Sequence, residues 1–206
     1  MENLVIFGDS YSTYEGYIPE KHAIYYPKLD VTDVENTWWK KFIKKSGYNL
    51  ILNDSWSGST ICYTGWSGTD CSQSSSFIYR YRKLKNEGFF KENSIDNVIV
   101  FGATNDSWCE APLGEIKFDN FSESDLYSVL PAICYFAKTL REDLPSAKIT
   151  FVINTELKDA VSNAIKEACK RYGHTFVELV DITKESGHPT IKGMQEIVEQ
   201  ISSVIL

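Results

Sequence analysis

The chain predicts an α/β fold, a flavodoxin-like three-layer α/β/α sandwich around a central, mostly five-stranded parallel sheet. Apolar runs of strand length recur along its 206 residues, and longer amphipathic stretches of helical spacing separate them. The punctuation agrees with that division: Pro145-Ser146 parts a helix from a strand, and Gly173 stands at a helix stop before His174.

Taken in order, the strands are expected at residues 4–7, 50–52, 98–101, 149–153 and 176–180. The helices are expected at 37–45, about 75–85, 124–144, 157–172 and 194–205. In the first helix Lys40, Lys41, Lys44 and Lys45 make a solvated face. In the fourth, Ala160, Val161, Ala164, Ile165 and Ala168 share one face, the spacing of a helix laid on a sheet. The apolar end of the last helix, 197–206, is assigned to sheet packing rather than to a dimer seam. Right-handed βα crossovers then complete the sandwich. Two stretches resist the scheme, 11–33, rich in Tyr and Pro, and 55–76, rich in Ser, Gly and Thr. Both follow strands and are expected as surface loops on one edge.

Length and a hydrophobic fraction of 43% suit a single domain spanning 1–206 with a sizeable core. A net charge of -7 without a concentrated basic patch argues against nucleic acid as a partner. No apolar run approaches the roughly 18 residues of a membrane span, so no membrane partner is expected. Met1-Glu2-Asn3 leads straight into an apolar strand without a targeting pattern, and the expected location is cytoplasmic. Cys62, Cys71, Cys109, Cys134 and Cys169 are dispersed and lack CxxC spacing, which fits reduced thiols better than a zinc site or a disulfide framework, with a Cys62–Cys71 pair left open.

In open α/β sheets ligands sit beyond the carboxyl ends of the strands. Ser10 follows the first strand in Val5-Ile6-Phe7-Gly8-Asp9-Ser10-Tyr11, where a nucleophile would stand. Gly58 follows the second strand, Asn105 the third, and His188 lies past the fifth. The fold therefore brings four distant polar groups to one edge, as acyl transfer requires: nucleophile, base and oxyanion donors around one carbonyl. Each block also has a plainer reading. Gly-Asp-Ser is an ordinary turn, Asn105 a cap and Gly58 a turn glycine. His174 precedes a strand without an accompanying signal and His22 lies in a Tyr-rich loop, so both are read as structural or exposed.

Gly8-Asp9-Ser10, Gly58 within Ser57-Gly58-Ser59, Gly102-Ala103-Thr104-Asn105-Asp106 and His188-Pro189, in that order, resemble the four blocks of the SGNH hydrolases, the GDSL esterase/lipase family. The resemblance spans nearly the whole chain. It implies Ser10 as nucleophile, His188 as general base and then acid, and an oxyanion hole made by the Ser10 and Gly58 backbone N–H groups with the Asn105 amide. That family usually carries Asp three residues before the histidine. Glu185 stands there and is the expected orienting acid, with Asp181 and a Ser–His dyad resting on a backbone carbonyl as alternatives.

Tyr11, Trp56 and Trp108, among other aromatics of these loops, are the expected substrate contacts, since flat rings with polar edges suit sugars. The expected partner is a small-molecule acyl ester, an acetyl group on a sugar above all. No cofactor and no metal are expected. Lysophospholipase or thioesterase action and a non-catalytic carbohydrate-binding relative are the rival readings. A phospho-receiver domain, which Asp9 and Asp54 would suit, lacks a phosphate loop and leaves the other blocks unexplained.

Overall fold

Alternation within the first strand divides the molecule into two apolar halves. In the computed structural model, which describes Met1–Leu206, β1 (Asn3–Gly8) sends Leu4 and Ile6 to one face and Val5 and Phe7 to the other, all fully buried. β3 (Asn97–Phe101) does the same with Ile99 and Phe101 against Val98 and Val100. Strands buried on both sides belong to parallel sheets covered by helices. The sheet is parallel throughout, in the order β2 (Asn49–Ser55), β1, β3, β4 (Lys148–Ile153), β5 (Thr175–Glu178).

On one face lie α1 (Trp38–Ser46) and α7 (Ile191–Ile205), which bring Trp38, Trp39 and Phe42 against Met194, Ile197 and Ile201. On the other lie α2 (Phe77–Asn86), α5 (Val129–Asp143) and α6 (Asp159–Tyr172), which supply Phe77, Tyr81, Ile133, Phe136, Val161, Ala164 and Ile165. Two short helices, α3 (Phe89–Glu92) and α4 (Thr104–Trp108), complete the α set. A hairpin of β6 (Lys184–Glu185) and β7 (His188–Pro189) stands apart from the main sheet. The expected three-layer α/β sandwich with a five-stranded parallel sheet is the architecture found.

Departures from the predicted elements have local causes. The helix expected at 124–144 is divided into a 3-10 turn, Glu123–Tyr127, and α5, which starts at Val129. Pro131 lacks an N–H and fits only a first helical turn, so the long helix must begin close before it. The fifth strand ends at Glu178 rather than at 180, because the Val180 N–H donates to the Gln200 side chain at 2.9 Å instead of to the sheet. α4 and the β6–β7 hairpin are too short to show an apolar period. No helix is long and apolar enough to cross a membrane.

The chain leaves β1 toward β2 on one side, while β3 pairs on the other, so the switch point of the sheet lies at the carboxyl ends of these strands. There the ladder runs on past the strands: Asp9 N–H donates to Phe101 O at 3.2 Å and Trp56 N–H to Gly8 O at 3.1 Å.

Candidate active site

Ser10 opens a 3-10 turn, Ser10–Ser12, directly at that switch point. Asp9 caps the turn by accepting the Tyr11 N–H at 3.1 Å. Burial pushes the Asp9 carboxyl up to about 7, and its Oδ2 has no hydrogen-bond partner. Gly8 lets the strands close around the turn, since a Cβ there would run into Ser55 and Ser12. Ser10 is only 7% exposed, yet its hydroxyl meets a histidine: His188 Nε2 lies 3.0 Å from Ser10 Oγ.

The second strand ends in a turn in which Ser59 N–H returns to Trp56 O at 3.2 Å and Gly58 takes φ 80°. That left-handed geometry favours glycine and leaves the Gly58 N–H without a protein acceptor, as is the Ser10 N–H. Asn105, on α4, donates Nδ2 to Ser59 O at 3.0 Å and accepts the Trp66 indole N–H on Oδ1 at 3.1 Å. The Ser10 and Gly58 N–H groups, free of protein acceptors, and the Asn105 amide thus follow the ends of β1, β2 and β3, and N–H donors of this kind can stabilise a developing oxyanion where they converge.

Buried charge holds these loops. Asp106, beside Asn105, accepts the Ile61 and Cys62 N–H groups at 2.8 and 3.0 Å, and burial raises its carboxyl above the ordinary range. Arg80, on α2, reaches between the strand ends. It donates to Asp54 Oδ2 at 2.7 Å, to the Asp54 carbonyl, and to Gly8 O and Ser59 Oγ at 3.3 Å each. The pair is almost wholly buried, so removing either partner strands a charge in an apolar medium. Sequence reasoning missed Arg80, because nothing in a helix with four basic side chains marks the one of them that turns inward.

His188 sits on a two-residue hairpin whose turn residues, Ser186 and Gly187, take φ 49° and 76°, the conformation that joins strands most tightly. The Ser186 carbonyl faces Nδ1 at 3.1 Å, which puts a hydrogen on Nδ1 and leaves Nε2 free to accept from Ser10. Tyr25 stacks flat on the ring, with centroids 3.6 Å apart and planes 7° from parallel. The Tyr11 hydroxyl donates to Gly187 O at 2.5 Å and the Tyr26 hydroxyl to Pro189 O at 2.7 Å. Burial lowers the His188 pKa, with the Ser186 carbonyl opposing and Lys28 and Lys184 adding to the fall, so the neutral, proton-accepting ring dominates at neutral pH.

Two expectations need correction. Glu185 pairs across the hairpin from His188 and is exposed, with no hydrogen bond to the ring. A neutral imidazole has one N–H to give, and the turn carbonyl already takes it. Asp181 makes no bond to the ring either. Tyr11 is fully buried and ties the hairpin to the serine turn, so it offers no face to a substrate. Trp56 and Trp108 are partly exposed. Trp56 packs against His22 with centroids 4.4 Å apart and planes tilted by 35°, and the Trp108 ring lies 3.7 Å from where a Cβ on Gly187 would stand. Two other aromatics of these loops make the close contacts: Tyr25 stacks on His188 and Trp66 bonds to Asn105. A cavity of about 540 Å³ lined by Tyr63, Tyr79, Arg82 and Tyr127 contains none of Ser10, Asn105 or His188, so polar geometry rather than cavity size marks the site.

Residues 2–205 match the family described as GDSL-like Lipase/Acylhydrolase. A solved structure from Bacteroides ovatus, described as a GDSL-like lipase, is 41% identical, with a TM-score of 0.90 over 98% of this chain and 97% of that one. Its counterpart from Bacteroides uniformis is 40% identical, with a TM-score of 0.90 over 98% and 94%. An acetyl xylan esterase from Butyrivibrio proteoclasticus shares the fold at 18% identity, with a TM-score of 0.63 over 98% of this chain and 63% of that one. The search of curated proteins gave no match.

Proposed function

Because the chain belongs to the GDSL-like lipase and acylhydrolase family, and is therefore a carboxylic ester hydrolase, we propose that it cleaves small acyl esters, acetyl esters of carbohydrate above all, through an acyl-enzyme on Ser10. The observation that carries this reading is the 3.0 Å contact between His188 Nε2 and Ser10 Oγ, beside N–H donors that no protein group claims. Ser10 Oγ attacks the ester carbonyl as His188 Nε2 takes its proton. The carbonyl oxygen, now negative, is received by the Ser10 and Gly58 N–H groups and Asn105 Nδ2. His188 returns the proton to the alcohol oxygen as the C–O bond breaks. Water, deprotonated by the same ring, then attacks the acyl-serine and frees the acid.

The orienting partner in this scheme is the Ser186 carbonyl, which fixes the tautomer and stabilises the imidazolium by its dipole. Preference for a sugar alcohol is supported by the exposed or partly exposed rings of Tyr25 on His188, Trp66 on Asn105, Trp108 beside Gly187 and Trp56 after β2, which offer flat apolar faces with polar edges. All five cysteines are free thiols, which suits a reducing, cytoplasmic compartment.

Hydrolysis of p-nitrophenyl acetate, butyrate and octanoate and of an acetylated xylose, by wild type and Ser10→Ala, tests the reading. Turnover on acetyl esters is expected to fall by about 10³-fold or more in Ser10→Ala. Preference for octanoate would replace the sugar ester by a lipid substrate, and turnover indifferent to Ser10→Ala would overturn the mechanism.

A further inference from the structure

We propose that Trp66 is a positioning residue for this reaction: its indole N–H locks the Asn105 amide in the orientation that aims Nδ2 at the substrate oxygen. The proposal rests on the esterase reading. An asparagine amide can sit either way round, and only one way is productive, since the carbonyl end would repel an oxyanion. Two neighbours decide the matter here. Ser59 O, an acceptor, faces Nδ2 at 3.0 Å, and Trp66 Nε1, which can only donate, faces Oδ1 at 3.1 Å. Turning the amide over would set donor against donor and acceptor against acceptor. The second Nδ2 hydrogen then remains for the substrate.

The indole is also placed to cover the site. Its Nε1 lies 4.0 Å from the point where a Cβ on Gly58 would stand, so the ring edge lies over the loop that supplies the other donor. Core packing does not explain this placement, because Trp66 is 47% exposed. The segment that carries it is a tight turn with Ser67 and Gly68 at φ 56° and 73°, closed by Gly65 N–H to Thr69 O at 2.8 Å and Thr69 N–H to Trp66 O at 3.1 Å. Behind it, Gly65 packs so closely on Cys71 that a Cβ would stand 2.6 Å from Sγ. A large apolar side chain is thus held at the surface by a turn with left-handed residues, and the one polar atom it has is spent on Asn105.

Trp66→Phe keeps a ring and deletes the N–H. On p-nitrophenyl acetate kcat should fall by about tenfold with KM changed by less than about twofold, because the lost interaction acts through a donor used in the transition state. In an Asn105→Ala background the same substitution should cost nothing further, which a merely structural tryptophan would not show. Melting temperatures of the variants separate loss of fold from loss of aim. Wild-type rates in Trp66→Phe, or a loss that multiplies in full with Asn105→Ala, would overturn the proposal and leave the esterase reading intact. A wild type inactive on every ester would remove both.

Discussion

Around Ser10 and Gly58 the backbone is held by buried charge, whereas the hairpin that carries His188 is held by tyrosines. Asp54, Arg80 and Asp106 clamp the ends of β1 and β2 and the loop after β2 through directional bonds to carbonyls and N–H groups. Tyr11, Tyr25 and Tyr26 fix the hairpin through two hydroxyl bonds and one stacked face. In the proposed reaction the difference follows from what each side must deliver. Oxyanion donors have to converge on one point, and charge-assisted bonds set backbone positions most sharply. A histidine has to keep one ring plane and one tautomer, for which a stack and a carbonyl suffice.

Four substitutions test that contrast. Arg80→Met should have the largest effect, costing about 3–5 kcal/mol of stability by stranding the Asp54 carboxylate, read as a fall in denaturation midpoint. A small shift would mean that water reaches the clamp. Asn105→Ala should lower kcat by about 100-fold with the melting temperature little changed; an unchanged rate would remove the amide from the mechanism. Tyr11→Phe, which frees the Gly187 carbonyl, should lower kcat by about tenfold without altering the dependence on acyl length. Glu185→Gln should change rates by less than about twofold, and kcat/KM should keep its acid limb below the ordinary histidine range, because burial lowers the His188 pKa and the neutral ring persists as pH falls. A large loss in Glu185→Gln, with the limb moved further down, would restore the carboxylate as the orienter.

Much of this was legible in the sequence because it depends on period and order. The strands, the main helices and the arrival of Ser10, Gly58, Asn105 and His188 at one edge follow from apolar spacing and from the rule for parallel sheets. What escaped depends on where side chains turn inside irregular segments. Asp54 reads as any acidic residue after a strand until Arg80 is seen to reach it from α2. Tyr25 and Trp66 lie in loops whose path no periodicity encodes, so the ring stacked on His188 and the one bonded to Asn105 could not be told from their neighbours. Glu185 was expected at the ring because spacing along the chain says nothing about a two-residue turn that offers its own carbonyl.

That carbonyl changes how the site can be damaged. A carboxylate can be deleted by a single codon change, but the oxygen of a peptide group belongs to every residue and survives any substitution at 186. Only the shape of the turn is vulnerable. Gly187, at φ 76° with the Trp108 ring beside it, is where a side chain would deform that shape, while position 185 is free to drift. The ring's alignment is thereby inherited from the backbone, and its weak point is a residue that takes no part in the chemistry.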